Sequence, residues 1–229
     1  MKIQARAIVL LLVLAPAVQS DFIFNVDFED PPHIVNQQVV AGSAVDRPTY
    51  AEATVLARTN IADFTTQVAS LEPAGAMSFF YAPSVTSNTV LLSWDLALLS
   101  HGSGGGFESA GVGIQSSGGG GLNIFYLKDM TITLNGMNVG TCTTGVSDNF
   151  SFVFDLNADI YDFSMNGSPV LTNQALGASF DLQNVIFSRD FLENPTYAVD
   201  NFQWEVIPEP SASVLMLLGG LGCLLFKRR

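Results

Sequence analysis

The clearest structural signal in the chain is Phe150-Ser151-Phe152-Val153-Phe154, followed closely by Ile160-Tyr161-Asp162-Phe163-Ser164-Met165 and the dipeptide Asn166-Gly167. In both runs large apolar side chains occupy every second position, and this period of two predicts β-strands with one buried face. Asn-Gly favours the backbone of a two-residue hairpin turn, and a second copy stands at Asn135-Gly136. We therefore expect consecutive antiparallel strands joined by tight turns.

The same β-rich character extends over the whole region between residues 21 and 206. Short apolar runs are separated by Gly, Asn, Asp and Pro, which is typical of antiparallel sheets. A helical apolar spacing is discernible only around Ala51–Ala62. The pattern predicts an all-β fold, a single jelly-roll-like antiparallel β-sandwich over residues 21–206. The further predicted strands are Phe22–Phe28, Ala76–Tyr81, Thr89–Leu98, Ser109–Gln115, Leu122–Leu127, Met130–Leu134, Phe180–Phe187 and Tyr197–Val206.

The chain ends in three successive segments of different chemistry. The polar motif Pro208-Glu209-Pro210-Ser211 comes first, an apolar run over 212–226 follows, and Lys227-Arg228-Arg229 closes the sequence. The uncharged stretch would form a helix of roughly 24 Å, close to the hydrocarbon thickness of a bilayer. The three cations should remain on the cytoplasmic side because crossing the bilayer is costly for them. We predict that the tail, residues 207–229, contains a transmembrane helix.

This order of segments resembles the PEP-CTERM protein-sorting tail of Gram-negative bacteria, and the resemblance covers the tail alone. It implies that an exosortase, a membrane protease-transpeptidase, processes the chain at the Pro-Glu-Pro motif while the helix holds it transiently in the inner membrane. Pro208 and Pro210 favour an extended segment that an enzyme can grip. The alternative is a membrane anchor that is never cut, as in a permanently anchored adhesin.

The other end of the chain carries a second targeting signal. Lys2 and Arg6 precede an apolar run over 7–18, and Val18-Gln19-Ser20 supplies small residues ahead of Asp21. This arrangement predicts a secretory signal peptide over residues 1–20. The two ends together predict an exported protein that is first a membrane-tethered precursor. The resemblance to the sorting tail implies that it then becomes a component of the cell surface or extracellular matrix of a Gram-negative-type bacterium, associated with the exopolysaccharide of a biofilm.

The charge of the region between the two signals is strongly negative. It holds 20 of the 21 acidic residues but only four of the nine Lys and Arg residues, which corresponds to a net charge of −16. Such a surface repels nucleic acid and anionic lipid, so no nucleic-acid partner is expected. It suits divalent cations, basic partners or neutral glycans, or it serves solubility alone. Cys142 is the one cysteine of this region, so an intrachain disulfide is not expected there.

A looser resemblance concerns the region itself, which is similar to concanavalin-like, laminin-G-like and carbohydrate-binding-module β-sandwiches. It is carried by Val26-Asp27-Phe28-Glu29, by the hairpin segments 152–155 and 161–167, and by Ala198-Val199-Asp200-Asn201-Phe202. In several such modules a carboxylate of the first strand and an aspartate of the last share a structural calcium. The resemblance implies that Glu29 and Asp200 could hold Ca²⁺, with Asp27 or Asp30 nearby. The alternative is a pair of solvated carboxylates.

The sequence contains no strong catalytic signature. His33 and His101 are its only histidines, both expected in exposed loops, and no Gly-x-Ser-x-Gly motif is present. The Glu-x-Asp-x-x-Glu strand motif of concanavalin-like glucanases is absent as well. Two glycine tracts, Gly102–Gly106 and Gly118–Gly121, either form flexible loops or shape a rim at one end of the sandwich.

We therefore predict a non-catalytic, structural or glycan-binding module. A polysaccharide hydrolase or lyase is the alternative, because two carboxylates in one groove would suffice for glycoside cleavage. The aromatic residues could stack on sugar rings. Trp94 is expected in the core, whereas Trp204 could lie in the core or on the surface.

Overall fold

The structure is a computed structural model and describes residues 21–29, 32–72, 75–86, 88–101, 108–177, 180–189 and 195–207. Every regular element in these ranges is a β-strand, and none of the described residues forms a helix long and apolar enough to cross a membrane. The predicted signal peptide, the sorting motif and the basic C-terminus lie outside the described residues.

Fifteen antiparallel strands form two sheets, which confirms the predicted all-β sandwich. The first sheet has the order β13-β12-β11-β6-β15-β4-β3, with β1 also paired to β15, and the second has the order β10-β9-β8-β7-β14-β5-β2. The strands are β1 Asp21–Val26, β2 Tyr50–Ala51, β3 Val55–Thr59, β4 Gln67–Leu71, β5 Met77–Val85, β6 Thr89–Ser100, β7 Glu108–Gln115, β8 Gly121–Leu127, β9 Thr131–Leu134, β10 Met137–Thr141, β11 Ser147–Asp155, β12 Ile160–Met165, β13 Ser168–Ala175, β14 Leu182–Arg189 and β15 Thr196–Ile207.

The two Asn-Gly dipeptides form the predicted hairpin turns. Asn135-Gly136 joins β9 to β10 with φ angles of 49° and 79°, and Asn166-Gly167 joins β12 to β13 with φ angles of 51° and 73°. Both residues of each turn are left-handed, as a primed turn requires, and the turn twist matches that of the strands. These local signals fix the register of the two hairpins.

The core is an aromatic layer between the two sheets. On the first sheet, Phe152 and Trp94 stack with ring centroids 5.8 Å apart, and Trp94 meets Phe187 of the second sheet edge-on at 5.6 Å. Phe79 and Phe202 stack across the sheets at 3.6 Å. The rings supply much of the hydrophobic stabilisation, since burying one such side chain contributes about 1.5–3 kcal/mol.

Both tryptophans belong to this core. Trp94 is fully buried, as predicted, and Trp204, whose position the sequence left open, is fully buried as well. Neither ring is therefore available at the surface for stacking on a sugar.

The structure corrects several details of the sequence-based strand assignment. The Ala51–Ala62 region, where a helical spacing was discernible, contains β3, because Val55 and Ala57 alternate inward along a strand. Strands β4, β10 and β13 were not predicted. All five residues of β4 are buried and most of β13 is exposed, so neither strand shows the alternation of a half-buried strand.

The first sheet branches at the last strand, β15. One edge of β15 pairs with β6, while its other edge pairs with β4 through Tyr197–Val199 and with β1 through Phe202–Val206. The first and last strands are thus neighbours, as the resemblance implied. Between the two pairings Asn201 takes a φ of 51° and the register with β6 shifts, which marks a bulge. This bulge places Asp200 at the point where β4 and β1 separate.

Candidate functional site

Six chain segments meet at one end of the sandwich and leave two adjoining clefts. They are the end of β5, the β7–β8 and β9–β10 turns, the β11–β12 turn, the end of β13 and the start of β14. The clefts have volumes of about 400 Å³ and 390 Å³, and both are lined by Gly118 and Phe180. These volumes lie in the range of small-molecule binding sites.

The second glycine tract shapes this site, as the sequence suggested for a rim. Gly119, Gly120 and Gly121 all have positive φ, and a Cβ on Gly121 would stand 2.1 Å from the Ile114 carbonyl oxygen. Only glycine fits at position 121, where the turn closes against β7. Around Gly119 and Gly120 there is open space, so their bare backbone borders the cleft. The first tract, Gly102–Gly106, lies outside the described residues.

The carboxylate of Asp181 organises the floor of the site. It is 8% exposed and accepts a hydrogen bond of 2.8 Å from the Ser117 backbone N–H, together with hydrogen bonds from the hydroxyls of Ser84, Ser116 and Ser117. A carboxylate has about four acceptor positions, so these donors use all of them. Asp181 therefore holds three strands together rather than presenting free lone pairs to a ligand.

The same contacts keep Asp181 ionised. Burial raises the pKa of Asp181, but the hydrogen bonds from Ser116, Ser117 and Ser84 outweigh burial and hold the pKa well below its usual range. Each serine that donates to the carboxylate keeps its own oxygen lone pairs. Ser116 and Ser117 line the clefts, so the site presents oriented hydroxyl acceptors instead of a bare charge.

The remaining lining is polar at the rim and aromatic below. Asn135 lines the first cleft and Asp159 the second, while Phe180 is largely buried and stacks on Phe154 at 6.1 Å. Backbone hydrogen bonds hold Leu176 and Phe180 in place, from Leu176 N to Asp159 O at 2.7 Å and from Phe180 N to Gly177 O at 3.1 Å. The site can thus hold a small polar molecule by hydroxyl, amide and backbone groups above an apolar ring.

The predicted calcium pair lies elsewhere, at the branch of β15. Asp200 is 2% exposed and accepts hydrogen bonds from Thr66 Oγ1 at 3.0 Å and from Asn201 N at 2.8 Å. Glu29 accepts a hydrogen bond of 2.9 Å from Gln67 N, so the two carboxylates bind consecutive residues at the start of β4. The sequence thus identified two acids that the fold brings into one neighbourhood, although whether they bind calcium stays a prediction.

Electrostatics at this branch are unfavourable for a bare carboxylate. The pKa of Asp200 is raised to about 7, chiefly by burial and also by the negative charges of Asp95 and Glu29, while the hydrogen bonds from Asn201 and Thr66 oppose the shift. Asp95 on β6 is the pairing partner of Asp200 on β15. It accepts hydrogen bonds from Asn149 at 2.7 Å and from Asn201 at 2.8 Å. No group of three His, Cys, Asp or Glu side chains with metal-binding geometry occurs in the described part of the chain, and Asp30 lies outside that part. Asp27 accepts a hydrogen bond from the Glu29 backbone N–H.

Neither histidine lies in the clefts. His33 was expected in an exposed loop, but it is 1% exposed: its ring packs 5.5 Å from Phe28, and Nδ1 accepts a hydrogen bond from Val40 N. Burial lowers the pKa of His33. His101 is half-buried at the opposite end of the sandwich, with Nε2 2.9 Å from Met130 Sδ. A histidine-dependent hydrolase centre is therefore not formed by the residues that line the clefts.

Sequence comparisons identify no relative: no family model matches the chain, and no curated protein sequence matches it. Solved structures do match, at 10% identity. A carbohydrate esterase from the Shiga toxin-encoding bacteriophage phi24B has a TM-score of 0.53 over 83% of this chain and 100% of its own. The receptor-binding domain of botulinum neurotoxin mosaic serotype C/D has a TM-score of 0.51 over 80% of this chain. The carbohydrate recognition domain of Emp47p has a TM-score of 0.49 over 84% of this chain and 99% of its own.

These likenesses concern the fold alone. The chain spans 50% of the length of the neurotoxin domain. The first two matches agree with the β-sandwich class predicted from the sequence. Since the phage protein is an esterase, the comparison does not decide between a binding module and an enzyme.

Replacing Asp181 by asparagine should loosen the site and destabilise the fold by about 2–3 kcal/mol, because an amide presents N–H groups to serine donors in a buried position. The low pKa of Asp181 stabilises the folded state above the unfolded-state pKa of about 4, and this contribution is lost as the pH falls. The difference between the two proteins should therefore shrink below about pH 4. Urea unfolding at pH 7 and pH 3 measures it.

The matched control for this substitution is Asp159→Asn. Asp159 lines the same cleft and has a φ of 54°, which asparagine also tolerates. Its unfolding free energy should change by less than about 0.5 kcal/mol. Equal losses in the two variants would contradict the organising role of Asp181.

Proposed function

We propose that the β-sandwich is a non-catalytic glycan-binding module and that the clefts at its glycine-rich end hold the sugar. The observation that carries this proposal is the pair of adjoining clefts of about 400 Å³ and 390 Å³ that present hydroxyl, amide and backbone groups beside the Phe180 ring. Sugars combine many hydroxyl groups with apolar ring faces, so a polar rim over an aromatic ring suits them.

The charge of the site favours a neutral glycan. Asp159 lines the second cleft beside Asp181, and the chain as a whole is acidic, with a net charge of −12. An anionic sugar would be repelled by this potential, whereas the hydroxyls of a neutral sugar can donate to Ser116, Ser117 and exposed backbone carbonyls. The phage protein with the same fold is described as a carbohydrate esterase, which is compatible with a sugar ligand and does not identify one.

The alternative, a polysaccharide hydrolase or lyase, has one observation in its favour. Asp159 and Asp181 line the same cleft, and glycoside cleavage uses two carboxyl groups. However, the acceptor positions of Asp181 are filled by four donors, and its lowered pKa makes it a poor general acid. Burial raises the pKa of two carboxyl groups, Asp200 and Asp148, and neither of them lines the clefts.

Filling the cleft without disturbing the fold tests glycan binding. Asparagine tolerates positive φ, and a Cβ on Gly119 meets no atom within 4 Å, so Gly119→Asn should fold normally while its side chain occupies the cleft. We expect at least about a tenfold loss of affinity, equivalent to about 1.4 kcal/mol, for any neutral glycan that the protein selects from an array. Calorimetric titration of the selected glycan measures the loss.

Gly145→Asn is the matched control, because Gly145 has a φ of 78°, open space around its Cβ and a position away from the clefts. Its affinity should equal that of the unsubstituted protein. Equal affinity in the Gly119 variant would place the glycan elsewhere. Turnover of the glycan that is lost in Asp159→Asn would support the hydrolase or lyase instead.

We further propose that the protein is exported and sorted, on the strength of the two terminal sequences. The signal peptide over 1–20 would direct export, and an exosortase would process the chain near Pro208, Glu209, Pro210 and Ser211 after the apolar helix and Lys227, Arg228 and Arg229 have stopped it in the inner membrane. The product would reside at the cell surface or in an exopolysaccharide matrix. There the glycan-binding cleft would have its ligand at hand.

Intact-mass measurement of the protein from membrane and extracellular fractions of its host tests the sorting step. We expect an extracellular species that begins near Asp21 and ends between Pro208 and Ser211. A species that still ends at Arg229 and is confined to the membrane would identify the tail as a permanent anchor and the protein as an adhesin.

We also propose that Glu29 and Asp200 share a structural Ca²⁺. Two nearby carboxylates at the β15 branch, with Asp95 across the strand, form a locally negative region that a divalent cation would neutralise. The ion would connect the start of β4, where Thr66 and Gln67 lie, to the last strand. It would thereby stabilise the branch.

Calcium should therefore raise the thermal stability of the protein, by about 2.7 kcal/mol at a hundredfold excess over Kd. Asp200→Asn should abolish the effect, since an amide supplies one neutral oxygen in place of a carboxylate. The control is Asp162→Asn on strand β12, away from the β15 branch, where calcium should still stabilise the protein. Thermal unfolding with calcium and with a chelator decides the question, and a calcium effect that survives in Asp200→Asn would exclude this site.

A further inference from the structure

The end of the sandwich opposite the clefts brings together three side chains with soft donor atoms. His101 directly follows β6, Met130 stands in the β8–β9 turn, and Cys142 directly follows β10. Met130 Sδ lies 2.9 Å from His101 Nε2 and 4.0 Å from Cys142 Sγ. The thioether of Met130 therefore lies beside both an imidazole and a thiol, although the three residues are far apart in the sequence.

Backbone hydrogen bonds hold two of these residues in place. Met130 N donates to Leu127 O at 3.1 Å, and Cys142 N donates to Met130 O at 2.8 Å. Met130 has a φ of 68°, unusual for a side chain of this kind. The turn is thus built so that the thioether lies against the thiol, and the arrangement does not depend on flexible side chains alone.

Two buried polar atoms next to this cluster lack a hydrogen-bond partner among the described residues. They are the Tyr126 hydroxyl, whose residue is fully buried, and Asp148 Oδ2, whose residue is 6% exposed. Tyr126 lies within electrostatic range of both Asp148 and Cys142. An unpaired buried hydroxyl and a half-paired buried carboxylate cost free energy. A cation bound by the Cys142 thiolate would place charged groups near the Tyr126 hydroxyl and Asp148 Oδ2.

We propose that His101, Met130 and Cys142 form a binding site for a soft monovalent metal ion, Cu(I). Thiolate and thioether ligands select Cu(I) over hard cations, and imidazole is also a common copper ligand. With metal–sulfur bonds of about 2.3 Å, two sulfur ligands of one trigonal ion stand about 4.0 Å apart, and the observed sulfur–sulfur distance of 4.0 Å fits this geometry. His101 Nε2 lies 2.9 Å from Met130 Sδ, so the imidazole would move outward by about 1 Å to complete the trigonal set.

Negative charges near the three side chains favour the binding of a cation. Asp148 and Asp129 are both within electrostatic range of Cys142, and their negative charge would stabilise a bound metal ion. Metal binding to Cys142 releases the thiol proton, as it does in thiolate sites generally.

The site is distinct from both regions described above. Its ligands carry sulfur and nitrogen, whereas the clefts and the β15 branch offer oxygen, which suits sugars and hard cations. Its central residue is a methionine, which contacts both other side chains.

Anaerobic titration of the full chain with Cu(I) against a competing chelator tests the proposal. Every sample carries Cys223→Ser, since Cys223 in the tail is the other thiol of the chain. We expect one Cu(I) per chain, a loss of affinity of about 100-fold or more in Cys142→Ser and of about tenfold in Met130→Leu. X-ray absorption of the copper-loaded protein should show two sulfur ligands, reduced to one in Met130→Leu.

Met137→Leu is the matched control, because Met137 is 42% exposed at the other end of β10 and the substitution is the same. Its Cu(I) affinity should be unchanged. If Cys142→Ser fails to fold, Met130→Leu and His101→Asn carry the test, with the sulfur count and the affinity as readouts. Binding that is equal in all variants, absent in the unsubstituted chain, or stronger for Zn(II) than for Cu(I) would overturn the proposal.

Discussion

Aromatic packing between two sheets is the constraint on which the rest of the structure depends. Trp94 and Phe152 of the first sheet and Phe187 of the second meet in one layer, and Phe79 stacks on Phe202 across the gap. With no described disulfide, the sandwich relies on this buried area for its cohesion. Since alternate residues of each strand are committed to the layer, functional groups are confined to the ends of the sandwich and to its outer faces.

The two ends of the sandwich carry different functional groups. At one end the turns carry glycine, serine and acidic residues, and Asp181 gathers Ser84, Ser116 and Ser117 from separate segments. At the other end the turns carry His101, Met130 and Cys142. The two sheets of the sandwich separate these ends.

Charged groups inside the fold follow a simple physical rule: a buried carboxylate must be hydrogen-bonded or neutralised. Asp181 meets the rule through four donors and remains ionised. Asp200 has two donors and two acidic neighbours, so its pKa rises. The contrast explains why Asp181 can organise the floor of the clefts as an ionised group, whereas Asp200 marks a place where a cation would be stabilising.

The sequence by itself determined those strands and turns that are specified by residues adjacent in the chain. Period-two alternation predicted β11 and β12, and the two Asn-Gly turns were predicted because their backbone preference depends on adjacent residues only. It also singled out Asp200, which lies on the last strand, and Glu29, which lies shortly after the end of β1. The edge strand β13 and the fully buried β4 carry no such alternation and were found only in the structure.

Only the tertiary structure decided which distant residues meet. Asp181 and Ser84 are separated by 97 positions, and His101 and Met130 by 29, so neither the cleft nor the soft-donor cluster has a sequence motif. The burial of His33 and Trp204 likewise depends on what packs over them, which one-dimensional patterns do not encode. Local backbone preference is written in neighbouring residues, whereas a site formed between strands depends on sheet order and register.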